Sequence, residues 1–261
     1  LAEASRSEKH HVKAVKPLPR RKLAEKVPLF DCFTAPCKGG CPIGQDIPEY
    51  VELVRQGKYA SALRLIMEKN PLPFITGTIC AHRCMSKCTR NFYDTPVNIR
   101  AAKLAAAERG YAEYTAKLKK PVPAGTGTRA AIVGGGPTGM AAAYFVARAG
   151  IPVTLYERAE QLGGVVRQVI PSFRIQDEAI DKDAAVLEKL GVDIRLNTEA
   201  PSAEALKKDG FTHIFYAVGA WKAGGLDLPG NVVPVIGWLK DLKAGKKVSL
   251  GHVAVVGGGN T

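Results

Sequence analysis

The chain has 261 residues, enough for one or two domains, and its 46% hydrophobic content suffices to build their cores. No apolar run is long enough to span a bilayer. The net charge of +13 is lopsided: residues 1–120 carry 22 Lys and Arg against 11 Asp and Glu, and residues 121–261 carry 15 against 13. The basic part shows no helix-turn-helix, zinc-finger or aromatic-interleaved strand pattern, which argues against nucleic acid. Such charge instead suits a shell around an anionic group, or a docking face for an acidic redox partner.

Residues 1–27 read as a basic, flexible leader. They lack the apolar stretch of a secretory signal, and Glu3, Glu8 and Glu25 argue against a transit peptide. The expected location is therefore the cytoplasm. Residues 28–122 hold all six cysteines, as two triplets: Cys32, Cys37, Cys41 and Cys80, Cys84, Cys88. In a reducing compartment such clustering points to metal rather than disulfides. Structural zinc usually takes pairs of Cys two to four residues apart, whereas here the spacings are C-x4-C-x3-C-P and C-x3-C-x3-C. The Cys41-Pro42 ending resembles ferredoxin runs, in which the last Cys can serve a second cluster. Iron–sulfur is the favoured reading, with zinc or unligated thiols as the alternative.

Between the triplets the pattern is helical. Asp46 can cap a helix with Pro48 in its first turn and Tyr50, Val51 and Val54 at helical spacing. After Gly57, a second stripe of Tyr59, Ala62, Leu63, Ile66 and Met67 ends at Asn70-Pro71. A third helix is predicted from Ile99 to Leu118, closing in Lys117, Lys119 and Lys120. The aromatic and Met side chains of these stripes read as core.

Residues 123–230 change character to alternating strand and helix. A strand over Arg129–Val133 runs into Gly134-Gly-Gly136-Pro137-Thr-Gly139, followed by a helix over Met140–Ala149 and a strand over Val153–Tyr156 that ends in Glu157. Each residue type has a physical task. Gly134 permits the tight turn, Gly136 lets the backbone approach a pyrophosphate, and Gly139 lets helix pack on strand. The helix N-terminus supplies free N–H groups and a positive dipole to phosphate. Glu157, 23 residues after Gly134, is placed to accept ribose hydroxyls. Gly163-Gly164 and Ala217-Val218-Gly219 point to FAD rather than NAD. A helix over Asp177–Leu190 and strands over Val192–Leu196 and His213–Val218 continue the alternation. Leu228-Pro229-Gly230 reads as a crossover. Residues 231–261 then open a nicotinamide-binding domain with a strand from Val253 into a second turn containing Gly257 and Gly259. That turn runs to the last residue, Thr261, so the sequence reads as an internal piece of a longer flavoprotein. The FAD site is accordingly expected to be incomplete, with weak flavin binding and no NADPH oxidation by this stretch alone.

Taken together, CFTAPCKGGCPIGQDIPEYV, the second Cys triplet, PVNIRAA, IVGGGPTG, the Glu157–Gly164 segment, IPSFR and VVGGGNT resemble the iron–sulfur/FAD module shared by the glutamate synthase small subunit and N-terminal dihydropyrimidine dehydrogenase. Within that family the chain looks most like the selenate reductase type of iron–sulfur flavoprotein subunit. The resemblance implies an α + α/β fold: a small helical, α-helical ferredoxin-like iron–sulfur domain followed by a partial Rossmann-like FAD domain. It implies an oxidoreductase in which NADPH reduces FAD and electrons pass through two [4Fe–4S] clusters to a partner domain or subunit holding the terminal acceptor. By the same resemblance Cys32, Cys37 and Cys88 would ligate one cluster, and Cys41, Cys80 and Cys84 the other. Gly134, Gly136, Pro137, Gly139, Glu157, Gly164, Val165, Arg174 and Gly219 would line the FAD. Two positions depart from the family. Leu29 stands where another Cys is usual, and Lys103 stands where a Gln or Glu ligand is usual. Each cluster therefore has three evident thiolates, with Asp31 and His82 as the nearest substitute donors, and at least one cluster is expected to be labile. The competing reading is a non-catalytic scaffold with a degenerate or zinc-binding cysteine domain.

Overall fold

A computed structural model describes residues 34–92, 94–221, 229–247 and 251–257. The leader, Leu29, Asp31, Cys32 and Gly259 lie outside these residues. The fold is α + α/β, a helical domain followed by a parallel sheet with helices.

The helical part runs α1 (Pro36–Gly39), α2 (Ile47–Arg55), α3 (Tyr59–Met67), α4 (Pro73–Ile79), α5 (Arg83–Ser86), a 3-10 turn (Thr89–Phe92) and α6 (Ile99–Lys117). Helices α2 and α3 follow the two apolar stripes; the first buries Tyr50, joined by Ile47, with Val51 and Val54 half-buried, and the second buries Ala62, Leu63, Ile66 and Met67 with Tyr59 half-buried. Asp46 occupies the N-cap position of α2 but does not cap it with its side chain. Its carboxylate instead pairs with Lys38 and, at 2.9 Å, with Lys69, which lower its pKa through these hydrogen bonds. Helix α6 is capped as its sequence allows, with Asn98 Oδ1 accepting the Ala101 N–H at 3.2 Å. It crosses α3 at Gly110, where a Cβ would lie 2.6 Å from the Tyr59 carbonyl oxygen. Only glycine lets the two backbones approach so closely.

The second part runs β1 (Ala130–Val133), α7 (Pro137–Arg148), β2 (Val153–Tyr156), α8 (Val165–Gln168), α9 (Asp177–Lys189), β3 (Asp193–Arg195), α10 (Ala203–Lys208), β4 (His213–Tyr216) and α11 (Val235–Lys243). The sheet order is β3-β2-β1-β4 with every pair parallel. This is the arrangement of a dinucleotide-binding half, with strand order reversing beside β1. β2 is buried along its whole length and β1 up to Val133, which is half-buried at the cavity, as their unbroken apolar or Thr-containing sequences permit. Val253–Val256, expected as a strand, is irregular and exposed. It pairs with no strand among the described residues, and a lone strand leaves its backbone donors and acceptors unsatisfied.

The two parts share one core. Leu63, Met67, Phe74, Ile75 and Ala107 from the helices pack in the same buried cluster as Ile132, Met140, Tyr144 and Ile180. Polar contacts fix the seam: Tyr144 Oη donates to the Met67 carbonyl at 3.0 Å, and Tyr111 Oη to the Lys182 carbonyl at 3.0 Å. Asp183, 1% exposed on α9, accepts the Phe74 and Ile75 N–H groups at 3.2 and 2.9 Å. A side chain of the sheet domain thus caps the start of α4, and α4 ends on Cys80.

Candidate functional site: a dinucleotide pocket beside two sets of thiols

The dinucleotide pocket forms where β1 and β4 end. Gly134 has φ of +108°, and a Cβ there would lie 2.8 Å from the Ala217 carbonyl carbon, so the turn admits no other residue without strain. Gly136 is the N-cap of α7 and brings no side-chain cap, with Pro137 in the first turn. The first N–H groups of that 12-residue helix are thus left for an anion. Gly164, at φ of +51°, lies across this turn: a Cβ on it would stand 2.9 Å from the Gly136 Cα. The Gly163 N–H is held by the Gly135 carbonyl at 2.9 Å, so both glycine turns form one cradle.

Glu157, buried at the end of β2, accepts the Gly135 N–H at 2.6 Å and the Ala159 N–H at 2.8 Å. Each carboxylate oxygen retains a further lone pair for a ligand hydroxyl. The cavity is about 450 Å³, and Gly134, Gly136, Pro137, Glu157, Gly164, Val165 and Gly219 line it. That volume falls in the range of small-molecule sites. Gly139 lies beneath the cavity rather than on it, where it lets α7 approach the Gly134 backbone. Arg174 is exposed in the Pro171–Arg174 turn, whose Pro171 carbonyl accepts its N–H, and is not among the residues that line the cavity. Gly257, at φ of +122°, is exposed and also apart. Arg158, Gln168, Thr198 and Trp221 line the cavity without having been singled out from the sequence. The position of Arg158 directly after Glu157 was the one available signal. Replacing Glu157 by Ala is expected to cost about 2 kcal/mol, since two backbone donors lose their acceptor. Urea unfolding measures this, and an unchanged midpoint would show the two bonds to be dispensable.

The thiols gather at the other end of the helical domain. Cys37 sits in α1, Cys80 ends α4, and Cys84 lies in α5, with Cys41 and Cys88 in the adjoining turns. A Cβ on Gly40 would lie 3.3 Å from the Cys84 Cα, so the two cysteine loops are in backbone contact. All five described cysteines are free. Their electrostatic neighbourhoods overlap at Cys41. Cys37 faces Cys88 and Cys41, whereas Cys84 faces Cys41 and Cys80. Burial pushes the Cys37 and Cys84 thiols up, and the neighbouring thiols push them further. Donors to sulfur are already in place. The His82 N–H points to Cys80 Sγ at 3.4 Å, and the Lys38 and Met85 N–H groups lower the Cys37 and Cys84 thiols. His82 itself has left-handed φ of 42°, and it offers its backbone rather than its ring to this sulfur.

Two buried side chains complete the site. Tyr50, read from the sequence as core, lies among Cys84, Cys41, Cys37 and Cys80. Burial raises its hydroxyl far above the tyrosine range, and the thiols add to this. Lys103 is 5% exposed. Burial lowers its ammonium from the usual lysine range, while Cys80, Cys84 and Cys41 pull it back up.

Among the described residues, no three of His, Cys, Asp and Glu form a group able to hold a single metal ion. Free thiols, an N–H donor aimed at sulfur and a buried cation are surroundings that suit an anionic iron–sulfur cluster.

Comparison with known proteins agrees with both halves. Residues 16–114 match the family described as dihydropyrimidine dehydrogenase domain II, 4Fe-4S cluster, and residues 132–194 match the NAD(P)-binding Rossmann-like domain. The chain is 45% identical to YgfK of Escherichia coli (strain K12) over 94% of its own length and 24% of that protein's. It is 34% identical to the NADPH-Fe(3+) oxidoreductase subunit beta of Geobacter sulfurreducens, over 92% of this chain and 38% of the relative. With the glutamate synthase [NADPH] small chain of Mycobacterium tuberculosis the identity is 33%, over 77% and 42%. The chain therefore spans between a quarter and under half of these relatives. The chain thus joins a region that matches the 4Fe-4S model of dihydropyrimidine dehydrogenase domain II to a region that matches a Rossmann-like domain, and is similar to the glutamate synthase small chain and the NADPH-Fe(3+) oxidoreductase subunit beta.

Proposed function

We propose that this chain is the electron-transfer module of an NADPH-dependent iron–sulfur flavoprotein oxidoreductase. In this reading FAD occupies the cavity at the β1 and β4 ends. Its phosphates lie on Gly134, Gly136 and the α7 N-terminus, and its ribose on Glu157. Gly164, Val165 and Gly219 close around it. Cys37 and Cys88, with Cys32, hold one [4Fe–4S] cluster, and Cys41, Cys80 and Cys84 hold the other. Bound there, FAD supplies the change from hydride chemistry to single-electron transfer, and the clusters supply stepwise conduction. The protein's own part is to fix positions, exclude water and aim N–H donors at sulfur. Gly257 and Gly259 belong to the nicotinamide site, and Gly139 and Arg174 support the FAD site from outside the cavity.

The observation that carries this reading is α4. It is capped at one end by Asp183 of the sheet domain and ends at the other on Cys80. The thiols are thereby held at fixed distance from the dinucleotide half, which electron transfer requires and a zinc scaffold does not. The domain limits that go with it are 28–122, 123–230 and 231–261. Five free thiols suit a reducing, cytoplasmic setting. A partner domain or subunit holds the terminal acceptor, of the selenate reductase or glutamate synthase type.

The test is iron, acid-labile sulfide, zinc and flavin per chain after anaerobic expression. Iron and sulfide near about four or eight per chain support the relay, by cubane stoichiometry. Zinc, or thiols without iron, would instead make this a non-catalytic scaffold.

A further inference from the structure

Lys103 lies one turn beyond Arg100 on α6, and Arg100 Nη1 donates to the Cys80 carbonyl at 3.1 Å. Helices α4 and α6 touch through backbone: a Cβ on Gly77 would lie 3.1 Å from the Leu104 Cα. This close approach brings the Cys80 end of α4 alongside the first turns of α6, with Lys103 buried at 5% exposure between them. A buried ammonium is costly unless an anion offsets it. Among the described residues no carboxylate is in ion-pair distance of Lys103; Asp183 feels it at longer range. The charged or titratable groups that face it are the thiols of Cys41, Cys80 and Cys84 together with the Arg100 guanidinium, which is already engaged on the Cys80 carbonyl. Cys37 and Cys88 are not among its principal neighbours.

An iron–sulfur cluster with thiolate ligands is anionic and gains one further negative charge when reduced, so a fixed buried cation favours the reduced form. We propose that Lys103 is the counter-charge of the cluster held by Cys41, Cys80 and Cys84, and sets that cluster as the more easily reduced of the two. Lys103 is a positioning residue here. It forms and breaks no bond, and the single electron comes from the flavin in the protein or from dithionite in the test. The inference rests on the iron–sulfur reading above.

The experiment uses the full chain, reconstituted anaerobically with ferrous iron and sulfide, as wild type, Lys103→Met, Lys103→Gln and Lys103→Arg. Iron content is measured first. Dithionite titration followed by electron paramagnetic resonance then gives both midpoints. In the two neutral variants the reduced fraction of one cluster at fixed potential is expected to fall about tenfold, or 59 mV for one electron. The other cluster and Lys103→Arg should stay within about threefold of wild type. Iron-loaded neutral variants with unmoved midpoints, or with both clusters moved equally, would overturn the proposal while leaving the iron–sulfur reading intact. A wild-type chain that takes up no iron would defeat that reading and this proposal together.

Discussion

Replacing Gly139 by alanine is expected to destabilise the sheet domain by about 3 kcal/mol or more. Gly139 is buried in the first turn of α7. A Cβ there would overlap the Gly134 carbonyl oxygen, lie 3.0 Å from its carbonyl carbon and touch Ala217 Cβ at 3.4 Å. None of these neighbours is a flexible side-chain end. Gly134 cannot retreat, because its N–H is bonded to the Tyr156 carbonyl at 2.8 Å and its own Cβ position faces the Ala217 carbonyl. The clash can be relieved only by lifting α7 off β1, which moves the helix N-terminus away from the cavity. Gly237→Ala is the control. It lies in α11 with open space around its Cβ position, so helix propensity alone applies and the change is worth up to about 1 kcal/mol in favour of folding. Urea midpoints of the two variants should move in opposite directions. If both are near wild type, the close contact of α7 with the turn is not a constraint.

The Rossmann half was legible because its constraints are local in sequence. Gly134, Gly136, Gly139 and Glu157 each answer a demand of backbone or ligand at fixed spacing, and the apolar strands around them alternate with helices of ordinary length. The helix expected over Asp177–Leu190 forms over Asp177–Lys189. What escaped was short or imposed from far away. Helix α4, PFITGTI, is rich in β-branched residues and too short for a helical period to declare itself. It is helical because Asp183, more than a hundred residues on, caps it. Helices α5, α8 and α10 are four to six residues long and gave no periodic signal either. In the site, Tyr50 sat on a convincing core stripe, and only its placement among four thiols distinguishes it. Trp221 is a single residue with no spacing to betray it, and Arg158 offered only its place directly after Glu157. Lys103 drew notice as a misfit in a ligand position, but its burial beside three thiols could not be read from the chain.

Asp183→Ala is expected to cost about 3 kcal/mol, because two buried N–H donors at the start of α4 lose their acceptor. The loss falls on the seam between the domains, since α4 is a principal contact of α9. Burial raises the Asp183 carboxyl to about 8, against the opposing pull of the Ile75 and Phe74 N–H groups and of Lys103. The sign follows from linkage. Between the ordinary carboxyl value near 3.8 and about 8, the folded chain holds a proton that the unfolded chain has released. The raised value therefore contributes stability in full at low pH, and this contribution is lost as pH rises through about 8. Asp183→Asn keeps one acceptor and cannot ionise, so it should lower stability by about 1–2 kcal/mol at pH 5 and flatten the decline towards pH 8. Urea unfolding of the metal-free protein at pH 5, 6.5 and 8 separates the cases. Parallel pH curves for wild type and Asp183→Asn would mean that the carboxylate is ionised throughout and that the two N–H donors outweigh its burial. A steeper wild-type curve would make Asp183 the group through which pH reaches the contact between the sheet domain and the helix carrying Cys80.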